Sequence, residues 1–440
     1  THNPHRFRIR RFPQRYGRVI LNKFIFLMPI ILMGCSDCND FQSEPYTPDE
    51  KDEFIEYYST IPLRESPYPK PMGVVRLTKE KASKRNHYEF IYDSIYRLKS
   101  ITFKNGVVPI NPNHTSNYFF TTTSQKFDYS GNLEYRTFYD RFGNREEQRG
   151  VHREIYVKGF DGRYKKLFFE DESGQQVENE WGIYEYNWKR GDNGSIYESR
   201  KNKKGERVSL RPGFEFYDLK LFYNPNGTLA LMQNVSEDGD LVENKTGVAQ
   251  DKLLFDNEGR WLGWEVLDSK GKLKRGNGPN VAKGINESDF FGYERSIRFE
   301  DIDGSAIKNS HGFYGSVRNY DQFGNYQLTH FINDLGEPYI NEHSGYCYAR
   351  YTWDAKGINR NMIELLDVKG KPIAHKTRGY SMIKQEYDTL DRLTQTTFLG
   401  VNGEPINRLD NGVSKIFYSY DKSNKLVAIK RIDTKGNEIK

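Results

Sequence analysis

Three thiols, nine imidazoles and two tight acidic clusters are what this 440-residue chain offers to reaction chemistry. The clusters run from Glu300 to Gly304 (Glu-Asp-Ile-Asp-Gly) and from Ser236 to Asp240 (Ser-Glu-Asp-Gly-Asp). Calcium takes about six to eight oxygens, and an EF-hand gathers them over about twelve residues closed by a Glu. Neither cluster has that spacing. The histidines form no His-Glu-x-x-His, which would set two imidazoles on one helix face for zinc. There is no Gly-x-Ser-x-Gly elbow and no P-loop. Gly276 to Gly284 is glycine-rich, but Gly278 falls in the register of a repeat described below, so a loop is expected there rather than a phosphate cradle. Cys35 and Cys38 make one Cys-x-x-Cys without a second pair, and Cys347 stands alone, too few for a disulfide framework or a zinc knuckle. No stable bond is expected between Cys38 and Cys347. These residues predict no catalytic centre, no metal and no cofactor. Tyr and Trp rows suit sugar rings, which share their apolar faces and polar edges, but for any single aromatic a place in the core is the first expectation.

Charge and composition narrow the field. Basic residues number 66 and acidic 60, a net +6. The charges are interspersed, and the one dense basic run, Arg6 to Arg18, stands before an apolar segment, so no nucleic-acid partner is expected. Aromatic residues reach 15%, with 31 Tyr and 28 Phe, although hydrophobic residues are only 36%. Disordered chains are poor in aromatics, and Tyr, Phe, Trp and Thr favour strands. A chain of this length exceeds one packed core, which leaves several domains or a repeat array.

Near the N-terminus, Lys23 precedes an apolar run, Phe24 to Gly34, and then Cys35. A basic residue, a short apolar stretch and a small residue form the layout of a secretion signal, too short to span a bilayer. Leu32, Met33 and Gly34 ahead of Cys35 resemble the lipobox of bacterial lipoprotein signals, with Met33 in place of a smaller residue. That resemblance implies that Cys35 becomes the first residue after cleavage and carries lipid. Residues 1–34 are then expected as an N-terminal extension and signal peptide, with a start at Leu21 and residues 1–20 outside the native chain. Residues 35–85, with Pro45, Pro48, Pro62, Pro67, Pro69 and Pro71, are expected as the lipidated cysteine and a polar, extended tether. Residues 86–440 are expected as the folded part. The implied location is the cell envelope, exported and lipid-anchored to a membrane at the outer membrane or periplasmic face.

The elements come from internal repetition. One glycine series runs from Gly106 to Gly436 with a mean period of about 33, within the range of repeat architectures. Asp or Asn often stands three before, as in Asp140–Gly143, Asp268–Gly271, Asn333–Gly336 and Asp367–Gly370. A second series lies about twelve residues upstream: Asp128–Gly131, Asp256–Gly259, Asp321–Gly324 and Asp354–Gly357 are among its members. A third runs from Gly150 through Gly278 to Gly412. In Asp-x-x-Gly the carboxylate accepts the turn's own amides, and glycine takes the positive φ of a type I turn with a bulge. An aromatic usually precedes the first Asp, as at Phe127, Phe160, Phe255, Tyr320 and Trp353. Ahead of it apolar residues alternate, the period of a strand. Each unit reads as strand, turn, strand, turn and short loop.

Phe127-Asp-Tyr-Ser-Gly-Asn-Leu133, the run from Phe255 and the run from Tyr320 resemble the Tyr-Asp core of the RHS/YD repeat family over residues 88–440. The runs from Tyr92, Tyr387 and Tyr420 keep Tyr-Asp and lose the glycine. The resemblance implies β-hairpin repeats. About eleven units make about 22 strands, which at about 4.8 Å apart would form a flat sheet roughly 100 Å long. Open sheets rarely pass about ten strands without curling. The fold expected is all-β: about eleven hairpin repeats in a coiled antiparallel sheet, a solenoid or incomplete barrel. Long repetitive surfaces suit binding. The function expected is an envelope-anchored lipoprotein, not an enzyme, that contacts a membrane through its lipid and a protein or glycan ligand through its β surface. The RHS resemblance implies the alternative of a toxin or immunity component. A polysaccharide-acting enzyme, the third reading, needs two carboxylates about 5 or 9 Å apart in an aromatic groove.

Overall fold

The structure is a computed structural model that describes residues 53–112 and 118–439. Leu32, Met33, Gly34, Cys35 and Cys38 lie outside the described residues. Two strands come first, β1 (Phe54–Thr60) and β2 (Val74–Leu77), then a one-turn helix, α1 (Lys79–Ala82). Eleven hairpins follow, from β3 (Asn86–Tyr92) with β4 (Leu98–Asn105) to Lys415–Tyr420 with Leu426–Ile432. With the two-residue strands Val108–Pro109 and Gln176–Val177, all 26 strands belong to one sheet. Each hairpin pairs antiparallel with the next, β1 lies between β2 and β3, and the sheet does not close. The array is all-β because strand periodicity, turn chemistry and aromatic content agree unit after unit.

The turn at Asp256 shows how a unit is made. Its amide donates to Arg260 O at 3.0 Å and Gly259 N donates to Asp256 O at 3.1 Å. Its Oδ1 accepts the amides of Glu258 and Arg260, each at 2.9 Å. Gly259 has φ +86°, and the register slips by one residue between Leu254 and Phe255. This is a type I turn with a glycine bulge. The hairpins that lack the glycine keep the turn, with Tyr96, Asp391 and Asn424 at φ +59°, +59° and +66°. The third glycine series closes turns as well: Asn179 Oδ1 accepts the amides of Trp181 and Ile183, each at 3.0 Å.

Four expectations are corrected. Asp128 is not a turn residue: the strand runs through it to Ser130, which pairs with Leu133, leaving a two-residue loop of Gly131 and Asn132. Gly131, at φ +57°, sits first in that loop, the place glycine takes in the tightest hairpins. Phe160 is not a strand aromatic. Gly162 N bonds Gly159 O at 2.9 Å, so Phe160 lies on the turn tip, fully exposed. Gly278 is out of register, because Asn277 and Asn280 carry the positive φ of that loop. Residues 53–85 are not a tether. β1 is paired on both sides, and residues 61–73 run half-buried as a strap against the inner face of the sheet, with Pro62, Arg64, Ser66 and Pro67 buried. The prolines do exclude helix there, but the extended chain they favour packs on aromatic side chains through Arg64 and Tyr68.

The hairpins do not touch only their neighbours. Asn86 N donates to Phe323 O at 2.8 Å, and Asn105 Nδ2 reaches Gly357 O at 3.3 Å. Arg141 reaches the carbonyls of Leu390 and Asp391, each at 3.3 Å, and Asn144 that of Ser423 at 3.0 Å. The sheet thus coils until its first two hairpins meet the turns of its eighth to eleventh. Ile358 joins the apolar cluster of Tyr88, Phe90, Ile101 and Phe103 across this seam.

The two rows of turns differ in what surrounds them. In the first row a Cβ on Gly259 would stand 3.4 Å from Val74, one on Gly324 would meet the Tyr293 hydroxyl, and one on Gly357 would meet the Phe323 ring. In the second row, Gly143, Gly174, Gly205, Gly271, Gly304, Gly336, Gly370, Gly403 and Gly436 have no other heavy atom of the described residues within 4 Å of that point. From the sixth hairpin to the ninth, one edge of the sheet is therefore gathered inward and the other is an open rim, whereas Gly131, Gly162 and Gly194 of the first row are open as well.

Candidate functional site

The inner face carries ionised groups where alternation alone leads one to expect apolar ones. Glu134 and Arg136 stand two apart on Leu133–Tyr139, so both point inward with Phe138. Arg136 donates through Nε and Nη2 to Glu134 Oε1 at 3.0 and 2.9 Å, and to the hydroxyls of Tyr156 and Tyr164 at 3.0 and 3.1 Å. Lys158 Nζ adds a 2.9 Å ion pair to Glu134. Tyr156 donates to Glu154 at 3.0 Å. A second group lies beside it: Arg200 pairs with Glu198, which also accepts Trp188 Nε1 at 2.9 Å and the Ser66 hydroxyl of the strap.

Burial divides the two acids of the first group. It pushes the Glu134 carboxyl up, but Arg136, Lys158 and Tyr164 outweigh it and hold the group down to about 2. For Glu154 burial wins over Arg136, Tyr156 and Arg64, and its carboxyl is raised. Opposed shifts in an aromatic setting are the pattern of an acid–base pair. Here the chain occupies the groove itself. Arg64 lies over the Phe119 ring at 5.2 Å and donates to Pro67 O at 2.9 Å. Tyr68 inserts among Trp188, Tyr223 and Tyr164, with ring centres 5.4, 5.9 and 6.3 Å away. Glu134, Glu154 and Glu198 each have a partner from the chain itself. The arrangement therefore locks the strap to the third, fourth and fifth hairpins.

A third buried acid, Asp251, accepts Asn277 Nδ2 at 2.8 Å. Burial, with Glu65 nearby, pushes its carboxyl up to about 8 against the pull of Arg211. Glu65 itself is ion-paired to Arg211, a second tie from the strap to the sheet.

Of the residues singled out in the sequence, Asp140, Asp256, Asp268, Asp321, Asp354 and Asp367 each open a turn closed by Gly143, Gly259, Gly271, Gly324, Gly357 and Gly370, and Asn333 does so with Gly336. They lie along the two edges and are not brought together. Cys347 is a buried free thiol, its pKa raised to about 11 by burial. The inner-face ions were missed. Their only signal was Glu-x-Arg at Glu134–Arg136 and again at Glu198–Arg200, charges two apart that share whichever face the strand buries.

No known family pattern and no curated protein matches the chain. Among solved structures it is similar to chains of "TcdB2-TccC3-TEV" (12% identity, TM-score 0.28, covering 83% of this chain and 20% of that one) and "TcdB2-TccC3-Cdc42" (11%, 0.27, 87% and 24%). A chain of "TcdB2-TccC3" gives 11% identity, a TM-score of 0.26, and coverage of 81% and 22%. The protein thus spans about a fifth to a quarter of the length of those chains. Likeness at this level assigns no function.

Proposed function

We propose that the chain is a lipid-anchored binding or scaffold module of the cell envelope that holds a partner along its free rim. The observation that carries this is a row of aliphatic side chains on successive turn tips: Ile302, Leu335, Val368 and Val401. They recur once per repeat and are 52, 78, 45 and 41% exposed. Turn tips are ordinarily polar. Four aliphatics in a line, one per pair of strands and so about 10 Å apart, form a repeated apolar contact that favours a protein partner over a glycan. The inner face over the third to fifth hairpins is filled by the strap, and the four aliphatics of the rim, unlike the isolated exposed Phe160 and Phe290 of the other row, follow one another on successive turns. The anchor rests on Leu32, Met33, Gly34 and Cys35 alone.

Co-isolation from cross-linked envelopes tests the rim. Wild type should retain a defined partner, and a variant carrying Ile302→Ser, Leu335→Ser, Val368→Ser and Val401→Ser should lose it while keeping its thermal midpoint. Equal recovery by both proteins removes the rim from the reading. A fatty-acid probe should label wild type and not Cys35→Ala; equal labelling removes the anchor.

A further inference from the structure

We propose that the outer edge of the last hairpin takes an extended acidic segment of another protein as its next strand. Leu426–Ile432 pairs with Lys415–Tyr420 on one side, and no strand among the described residues pairs with the other. Leu426, Val427 and Ile429 are exposed there. The array itself shows how such an edge is filled. At each of the last six steps between hairpins, three residues of a second strand pair with the next first strand, as Gln395, Thr396 and Thr397 do with Phe417, Ile416 and Lys415. A further backbone bond follows, from Leu365 N to Ser381 O at 2.8 Å and from Phe398 N to Ser414 O at 2.9 Å. One repeat on, the corresponding residues are Ala428, Ile429 and Lys430, and the corresponding donor is Arg431 N.

The side chains on this edge set what it accepts. By strand alternation Ile429 shares a face with Tyr418, opposite it, and with Ile416 and Phe398 of the apolar cluster of the ninth to eleventh hairpins. It carries that cluster out to the edge, where an apolar residue opposite it would be covered. Lys430 and Arg431 stand beside it. The two strands of this hairpin carry Lys415, Lys430 and Arg431 and no acid. Lys430 has only Glu438, exposed and 3.9 Å away, and Arg431 has no ion partner among the described residues. Elsewhere the step between hairpins sets opposite charges together: Lys166 with Glu185 at 3.6 Å, and Lys283 with Glu265 at 4.0 Å. Glu265 holds in its own strand the place that Lys430 holds here.

Charge also argues against a second copy as the occupant. Two such edges laid side by side would bring Lys430 and Arg431 of each together, and lysine on an edge strand is a common guard against self-pairing. An acid opposite Lys430 and another opposite Arg431 turn that repulsion into attraction. Main-chain bonds along the edge supply affinity, and alternate side chains supply selection. The edge strand is separate from the row of turn tips on the rim, and neither depends on the other.

Fluorescence anisotropy of a labelled strand peptide, Glu-Glu-Ile-Thr-Tyr-Thr-Ser with blocked ends, against the full chain tests the proposal. In the register of the array its acids fall opposite Arg431 and Lys430, and its Ile opposite Ile429. It should bind about tenfold more tightly than the same peptide with Lys for both Glu. Lys430→Glu with Arg431→Glu should reverse that preference, which a loss of stability alone would not do. Ile429, two before Arg431, also turns its N–H outward. Ile429→Pro removes that donor where an edge strand tolerates proline, and should abolish binding with a nearly unchanged thermal midpoint. Absence of binding by the acidic peptide, or the same preference in the charge-reversed variant, overturns the acidic strand. Sedimentation of wild type as a dimer that Ile429→Pro returns to monomer assigns the edge to a second copy and overturns it too. The rim variant with four serines should bind the peptide as wild type does, so failure here leaves the rim reading intact, and the reverse.

Discussion

At the level of single residues, two glycines with the same local sequence role differ in what their neighbours allow. Gly336, at φ +82°, has open space where a Cβ would go. Gly336→Val should therefore cost only the backbone strain, about 1–3 kcal/mol. Gly336→Asn should cost less than about 1 kcal/mol, since the chain already places Asn424 at positive φ in an equivalent turn. Gly324, at φ +91°, would bring its Cβ within 2.5 Å of Tyr293 Oη, and that hydroxyl is held by Asn86 O at 3.3 Å. Gly324→Val should cost more than Gly336→Val, and Gln327→Ala less than about 0.5 kcal/mol. Denaturant midpoints check the order; Gly336→Val matching Gln327→Ala would falsify the turn assignment. Asp251 makes a second residue-scale prediction. Its folded pKa of about 8 lies above the unfolded value near 4. The folded state then holds the extra proton, so stability falls as pH rises from about 4 to 8. Asp251→Asn should be more stable than wild type at pH 8, by up to about 5 kcal/mol, and the gain should shrink toward pH 4. Thermal midpoints across that range check the sign. Glu134 acts oppositely: its depressed pKa of about 2 adds stability above the unfolded value near 4, lost as the pH falls toward 2.

At the level of elements, the strap is held by few but deep contacts. Tyr68 touches three rings and Ser66 donates to the buried Glu198. Tyr68→Ala should cost about 2–4 kcal/mol, because the aromatic cage has no other group to refill it. Ser66→Ala should cost about 1–2 kcal/mol, since Glu198 keeps Arg200 and Trp188 and loses one donor. Urea unfolding followed by tryptophan fluorescence checks both. If Tyr68→Ala costs no more than an ordinary surface substitution, under about 0.5 kcal/mol, the strap is dispensable to the coil. The strap was hidden in the sequence because its proline content and polarity match those of a solvated linker. The partners that bury it come from hairpins far along the chain, as with Ser66 and Glu198 at a separation of 132.

At the level of the whole molecule, a pure nearest-neighbour array would unfold unit by unit. The seam between the first two hairpins and the eighth to eleventh, and the strap laid across the interior, couple distant units. Hydrogen exchange should therefore show one cooperative block over the second to sixth hairpins, which share the largest apolar cluster. The final strand, Leu426–Ile432, is paired with one neighbouring strand only and almost entirely exposed, so it should exchange first. Uniform protection out to Ile432 would count against this picture, as would independent opening of the third and fourth hairpins.

The turn chemistry, the strand period and the repeat count are written locally, each within a short stretch of chain. For that reason Asp256–Gly259 or Asp367–Gly370 could be placed from the sequence, and the all-β hairpin array with them. The local rule failed where a loop has an alternative of similar energy: a two-residue hairpin at Gly131 made Asp128 a strand residue, and Asn277 took the positive φ expected of Gly278. Whether a turn is packed or free, whether an acid is an anion or carries a proton, and whether a proline-rich segment is a tether or a strap depend on groups far apart in the chain. Glu134 and Glu154 look alike in the sequence. Both are buried, and only the coil, by setting Lys158 and Tyr164 around Glu134 and leaving burial to win at Glu154, gives them opposite pKa shifts.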